Sequence, residues 1–497
     1  MDSRPLITQA LGFHQRGQLD QAAELYGQIL QHEPRNFTAL QLFGVLRGQQ
    51  GQIAEAKSLL ESALAIQPRD FGALVNYGQL LAGAQQYREA IDSFDKALAI
   101  KPDIFEALYN KAVALAQMQR FAEAMASYDK ALALNPGSPA CLYNRGISLS
   151  ALGRHEDALA SYDRALALNP NFAAALDNRG NVLRALGRSE LALASYDKAL
   201  VLTPDDFRAH YNRGNVLADL RRFAEAVAGY DRALVLQPRF AEALSSRGLS
   251  LLELALLEPE RFSEALDSFD KALALRPDDP EILNNRGVTL WHLGRASEAR
   301  ACYDRALAAD AGHVASLLNR AFLFQQTGQF HAALADYDKA IAGDPNNARA
   351  WNGRGSVLQA LRRDGEALAH FNKAVELDPA SADALTNRAA LRWKDQADYA
   401  GATSDLQAAL AIDPDQPFAR GELLHIRMYG AEWKDLESEA AVIDDGVRQG
   451  RRIVRPFVCQ ALSHFPADLQ ACSRIFAASL LPSSLLEPAF SYTHDKI

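Results

Sequence analysis

Eight asparagines are the residues whose spacing could do chemistry. Asn76, Asn110, Asn144, Asn178 and Asn212 follow one another at steps of 34 residues, and Asn285, Asn319 and Asn387 hold the same step or its double. Ser246 and Gly353 interrupt the series, and Leu42 occupies the slot near the N-terminus. A carboxamide carries both donor and acceptor. A row of them can therefore pair with the main chain of an extended polypeptide without reading its side chains. Each such bond nets about 0.5–1.5 kcal/mol, so affinity would accumulate over many rungs. The competing role is structural, because an asparagine on one helix can equally bond to the next helix.

Other chemistries find no residues. Cys141, Cys302, Cys459 and Cys472 form no CxxC pair, which indicates neither a disulfide framework nor a zinc site. His464 and His494 have no partners in sequence and read as surface or connector residues. No glycine-rich phosphate loop, metal cluster or nucleophile elbow is present, and no cofactor is expected. The 497 residues hold 52 Lys+Arg against 61 Asp+Glu, a net charge of −9, which argues against a general nucleic-acid binder. The most apolar stretch, Leu249–Leu257, is broken by Ser250 and Glu253, so no membrane span is expected. The first residues lack the pattern of a signal peptide, and a cytoplasmic, reducing location is expected.

The elements that must position the asparagines repeat with them. Pro34, Pro68, Pro102, Pro136, Pro170, Pro204 and Pro238 stand 34 residues apart, and Pro277, Pro345 and Pro379 resume the step, with Ala311 in the proline slot and Pro414 one residue late. Alanines keep phase in two sets, such as Ala124, Ala158 and Ala192, and, seven residues on, Ala131, Ala165 and Ala199. Within one period the pattern predicts helices over Ala140–Leu152 and His155–Leu168, separated by Gly153 in a left-handed C′ position. Gly17, Gly51, Gly187, Gly294 and Gly328 fill the same slot, and the proline stops the second helix. Tyr128, Tyr162, Tyr196, Tyr230, Phe269, Tyr303, Tyr337 and Phe371 fill a large slot that reads as core packing between helices.

A period of 34 with small, aromatic and proline slots in this order resembles the tetratricopeptide repeat. The resemblance covers about residues 3–414, or twelve repeats, and implies an all-α, right-handed superhelix. In such arrays the first helix of each pair lines a concave groove, which places the asparagine ladder there. The family's clamp for a terminal carboxylate needs Lys one residue before the ladder Asn. Here Val75, Tyr109, Tyr143, Asp177 and Tyr211 take that place, so the clamp is not expected even though Asn181 and Asn215 supply its second element. Arg145, Arg179, Arg213, Arg286, Arg320 and Arg388 follow the ladder positions, and Asp129, Asp163, Asp197, Asp231, Asp304 and Asp338 follow the aromatic slot. Charges in fixed phase predict ion pairs between helices. Between Gly248 and Phe262 five extra residues predict a longer first helix or a bulged turn.

Beyond Pro414 the phase is lost. Residues 415–497 read as helical stretches, Phe418–Met428, Trp433–Gly446 and Ala467–Ala478, punctuated by Pro456, Pro466, Pro482 and Pro488. This segment is expected to cap the last repeat. The blocks His425–Met428, Trp433–Leu436, Pro456-Phe457, Leu469–Phe476 and Tyr492–Ile497 are similar to the linker of bacterial O-linked N-acetylglucosamine transferases of the Spindly type. That resemblance implies a recognition arm for a protein glycosyltransferase whose nucleotide-sugar domain would follow Ile497. The family's connector histidine is not carried over, because Pro456 stands there. Two functions follow: a substrate-recognition arm without its catalytic domain, inactive alone, or a stand-alone scaffold unrelated to glycosylation. Both imply extended or disordered protein segments as partners and leave self-association open.

Overall fold

The computed structural model describes residues 3–429, 436–456, 458–459 and 466–479. Among them the chain forms 27 α-helices and no strand. Trp433, Lys434, Asp435, Phe457, His464, Pro482, Pro488 and the stretch Tyr492–Ile497 lie outside the described residues. Helices α1 (Arg4–Gln15) and α2 (Leu19–His32) open a series of stacked pairs that ends with α23 (Ala382–Gln396) and α24 (Tyr399–Ile412). The chain divides into two compact units, Met1–Leu236 and Gln237–Ile497.

One pair shows why the sequence folds this way. Helix α9 (Pro139–Ala151) starts at Ser138, whose side chain accepts a hydrogen bond from the Cys141 amide, with proline in the first turn. The helix begins and ends one residue earlier than the periodicity predicts. It ends where Gly153 adopts φ +72° and the Arg154 amide bonds back to the Leu149 carbonyl. Helix α10 (His155–Leu168) then returns along α9. Its Tyr162 ring lies against Gly146, where an added Cβ would sit 2.5 Å from the ring. The two backbones come close because this position lacks a side chain. Tyr128, Tyr162, Tyr196, Tyr230 and Tyr303 are all essentially inaccessible, which makes the aromatic series core. Each ring carries roughly 150–250 Å² of surface into that core.

In each unit consecutive first helices touch, as α5 (Phe71–Gly83) touches α7 (Phe105–Gln117), whereas consecutive second helices make no comparable contact. The first helices therefore form the inner side of each unit. Inserted residues fall between α15 (Ala241–Ala255) and α16 (Arg261–Leu275). They lengthen both helices and leave a turn whose Leu257 is 87% exposed. After α24, the connector carries α25 (Ala419–Tyr429), α26 (Leu436–Arg448) and α27 (Pro466–Ser479). The Phe418 and Gly421 amides bond to the carbonyls of Arg452 and Ile453, and α25 packs on α24. Leu424, Ile443, Val447, Val454, Cys459 and Cys472 share a small core. There the Cys459 and Cys472 thiols face each other, and burial pushes the Cys459 pKa up to about 12.

Not every turn has its glycine. Gln85, Gln119, Arg221 and Arg362 take the left-handed turn position with φ of 60°, 58°, 58° and 62°. A side chain there is strained by about 1 kcal/mol. Arg362→Gly is accordingly expected to stabilise unit 2 by about 1 kcal/mol, read as a higher urea midpoint. Gly146→Val, which drives methyls into the Tyr162 ring, should lower the midpoint of unit 1 by a larger step.

Candidate binding face on the first helices

The ladder asparagines all lie on first helices, but not in one environment. Asn76, Asn110, Asn144, Asn178, Asn212 and Asn387 are partly exposed. Asn285 and Asn319 are 1% and 2% exposed, so their side chains are out of reach of a ligand and leave the candidate site. Asn319 donates to the buried Asn284 across adjacent first helices at 3.0 Å, and the Asn284 amide in turn donates to Asn285 at 3.3 Å.

Most of the remaining carboxamides also have an internal partner. The Asn144 amide donates to the Tyr109 hydroxyl at 2.8 Å, and Asn178 donates to the Tyr143 hydroxyl at 3.0 Å, each across 35 residues. Asn387 donates to the Asn352 carbonyl oxygen at 3.0 Å. Each bond ties a first helix to the first helix one repeat earlier. The residue preceding one ladder position is thus the acceptor for the next, which is the neighbouring-helix role that the sequence left open. Asn110 meets Val75 in that register, which can accept nothing. Among the described residues Asn76 and Asn110 form no hydrogen bond with another side chain.

The ion pairs are more regular. Arg145, Arg179, Arg213 and Arg286 each donate from Nε to an aspartate sixteen residues earlier, at 2.9, 2.6, 2.6 and 2.6 Å. Arg320 reaches Asp304 at 2.7 Å. Arg354 does the same with Asp338 at 2.6 Å, although Gly353 replaces the asparagine before it. In most of these repeats a second nitrogen of the same guanidinium reaches the second helix of its own pair, but Arg213 finds Gly229 in that slot. Arg145 and Arg179 meet the buried hydroxyls of Ser161 and Ser195 at 2.7 and 2.6 Å. Arg145 and Arg179 therefore each join three helices.

Two positions in this slot carry a carboxylate. Asp336, 3% exposed, takes both remaining nitrogens of Arg320 at 2.7 and 2.8 Å. Asp405, 4% exposed, takes Arg388 at 2.6 and 2.8 Å and Arg392 at 2.9 Å. Arg388 pairs forward rather than back because Asn372 replaces the aspartate sixteen residues before it. The aspartates were in sequence view, since they stand where other repeats place serine, but their burial required the packed helices.

A third arrangement breaks the tyrosine run on the unit 1 inner side. Asp177 on α11 (Ala173–Ala185) faces Asn212 and Asp206 at α13 (Phe207–Asp219). Burial, and then the charge of Asp206, push the Asp177 pKa up to about 6, while the Asn212 and Asn181 carboxamides pull it partly back. Its Oδ1 is shielded from solvent and has no hydrogen-bond partner among the described residues. Beside it, Arg184 and Asp219 form a forked pair at 2.6 and 3.2 Å. Tyr196 and Tyr230 donate their hydroxyls to the carbonyl oxygens of Asn181 and Asn215 at 2.7 and 2.9 Å. Those two asparagines are thus anchored from the core beneath. Among the described residues no three metal-ligating side chains converge, and no helix is long and apolar enough to cross a membrane.

Family models described as tetratricopeptide repeat match residues 13–70, 42–103, 78–139, 139–172, 161–194, 207–240, 254–314 and 318–382, and one described as TPR repeat matches 180–221. No curated protein matches the chain. Among solved structures, the chain is similar to yeast Tom70 at 16% identity, over 90% of this chain and 96% of that one, with a TM-score of 0.41. YrrB, described as a TPR protein with an unusual peptide-binding site, is 22% identical over 38% of this chain and 96% of its own, with a TM-score of 0.34. PilF of Pseudomonas aeruginosa is 21% identical over 44% and 97%, with a TM-score of 0.39.

Two predictions follow from the charges. Arg320→Ala strands the buried Asp336 and should cost about 3–5 kcal/mol, whereas Arg145→Ala, whose partner Asp129 is 58% exposed, should cost about 1 kcal/mol; urea unfolding of both variants checks the contrast. For Asp177 the folded pKa lies above the unfolded one. Its charged form therefore penalises folding at high pH, and the penalty is relieved as pH falls through about 6. Asp177→Asn should stabilise the protein by about 1–3 kcal/mol at pH 8 and by little at pH 4.

Proposed function

The chain belongs to the tetratricopeptide-repeat family, and from that premise we propose that it is an interaction scaffold holding an extended polypeptide along the first helices of unit 1. The observation that supports this most is the register of Asn76 and Asn110. They stand in phase on the inner side, partly exposed, and spend no hydrogen bond on another side chain. Asn144, Asn178 and Asn212 continue the row. The bonds of Asn144 and Asn178 to Tyr109 and Tyr143 use the amide N–H, and a carbonyl oxygen has two acceptor sites for a main-chain donor. Tyr109 and Tyr143 beside them add amphipathic contact surface. A carboxamide row reads backbone rather than side chains, which suits segments without fixed structure.

A narrower reading makes this scaffold the recognition arm of an O-linked N-acetylglucosamine transferase-like enzyme. The residue blocks after Pro414 support it, and of these His425–Met428 and Leu469–Phe476 fall on α25 and α27. In that reading residues 415–497 cap the array and lead toward a nucleotide-sugar domain. Copurification of the chain with a nucleotide-sugar-dependent protein transferase would support the arm, and partners lacking any such enzyme would favour the stand-alone scaffold.

The two kinds of asparagine separate binding from folding. Peptides selected from a random display library on the full chain serve as probes. The Asn76→Ala, Asn110→Ala double variant should weaken them by about ten-fold with the thermal midpoint unchanged, as expected for two bonds of about 0.5–1.5 kcal/mol. The Asn144→Ala, Asn178→Ala double variant should lower affinity and midpoint together. Unchanged affinity in both folded variants removes the ladder from the binding face.

A further inference from the structure

From Asn110 onward, the residues one place before the ladder positions in unit 1 are Tyr109, Tyr143, Asp177 and Tyr211, after Val75 in the repeat before. One carboxylate thus interrupts a run of phenols, on the same inner side and at the same register. We propose that Asp177 is the specificity residue of this face, and that it selects a lysine or arginine side chain in the bound polypeptide; the inference rests on the polypeptide-binding reading above.

The surroundings are built for a carboxylate yet leave it without a counter-ion. The Tyr196 hydroxyl occupies the Asn181 carbonyl oxygen at 2.7 Å, which turns the Asn181 amide N–H groups away from that bond and toward Asp177. Asn212 approaches from α13. The neighbouring cations do not serve it. Arg184 is forked onto Asp219, and Arg208 offsets only part of the repulsion from Asp206. Tyr143 from α9 and Tyr196 from α12 (Ser189–Leu202) face the same carboxylate with hydroxyls whose own ionisation it opposes. No ion pair of Asp177 is formed among the described residues, and its Oδ1 lacks a partner.

A shielded carboxylate with amide and phenol neighbours but no paired cation is costly, and an arriving cation relieves that cost. A ligand carboxylate at this rung would meet Asp177 and Asp206 together and be rejected. The backbone-reading asparagines hold any extended segment, so a single charge filter among them is enough to choose which segments stay. Because the filter works only when ionised, selection should fade as the solution is acidified below the pH at which Asp177 titrates.

The test uses a random twelve-residue peptide display library selected at pH 7.5 on the full chain, on Asp177→Asn and on Asp177→Tyr. The tyrosine variant restores the residue of the adjacent repeats and covers the case in which the amide misfolds. Circular dichroism confirms folding. Wild type should recover peptides rich in Lys and Arg, and binding of a recovered peptide should fall about ten-fold in either variant, the size expected for one charge-assisted contact. Wild-type selection repeated at pH 5 should lose most of the basic enrichment. Recovery of the same peptides by folded variants, or of neutral or acidic peptides by wild type, overturns the role of Asp177 and leaves the scaffold standing. Recovery of no peptide by any of the three proteins overturns the polypeptide-binding reading itself.

Discussion

In most pairs the packing of the two helices depends on a missing side chain. At Gly146, Gly180 and Gly214 an aromatic ring from the second helix lies where a Cβ would have been, at 2.5–2.7 Å. That contact fixes how near the two helices of a pair stand and at which turn they meet. Beside that contact, Arg145 and Arg179 on the first helix reach both the aspartate behind and the serine in front. The ion pairs alone would be weak surface contacts, since Asp129 and Asp163 remain half exposed. Close packing holds both partners in place beforehand, so little side-chain entropy remains to be lost when they meet.

The fold was legible because three signals share one phase. Proline, glycine and aromatic slots each carry a separate physical reason, and agreement among them leaves little freedom in the architecture. The candidate face was legible in outline only. Sequence places Asn319 and Asn178 in equivalent positions, and nothing in their spacing separates a sealed carboxamide from an accessible one. That difference comes from the preceding residue of the earlier repeat, where Asn284 can reach across and Tyr143 offers only a hydroxyl. The forward pairing of Arg388 with Asp405 was hidden for a similar reason. A substitution at Asn372 redirects an arginine whose own residue type and phase are unchanged.

The inner side of unit 1 is thereby divided along its length. From Asn76 to Asn144 it offers carboxamides and phenols. From Asp177 to Asp219 it offers a carboxylate, four more carboxamides and a forked ion pair. The same helix-to-helix bonds that stiffen the first stretch consume donors in it, while the second keeps a carboxylate poorly satisfied. A residue that lowers stability at a surface-facing position is the pattern expected where structure yields to recognition. In unit 2 the equivalent register is filled by paired asparagines and by Trp291 and Phe322, whose rings meet at 6.0 Å. The two units present different chemistry from one repeat plan.

The bonds that stitch neighbouring helices connect residues separated by sixteen or by thirty-five positions, so each period carries one half of a bond and its successor carries the other. Copying or deleting a whole period keeps this register, so most halves keep a mate. Arrays of this kind can change length by unequal recombination without inventing an interface. The five residues added before Phe262 are the opposite case. They are not a period, so they are absorbed locally, by two lengthened helices and a turn in which Leu257 is exposed.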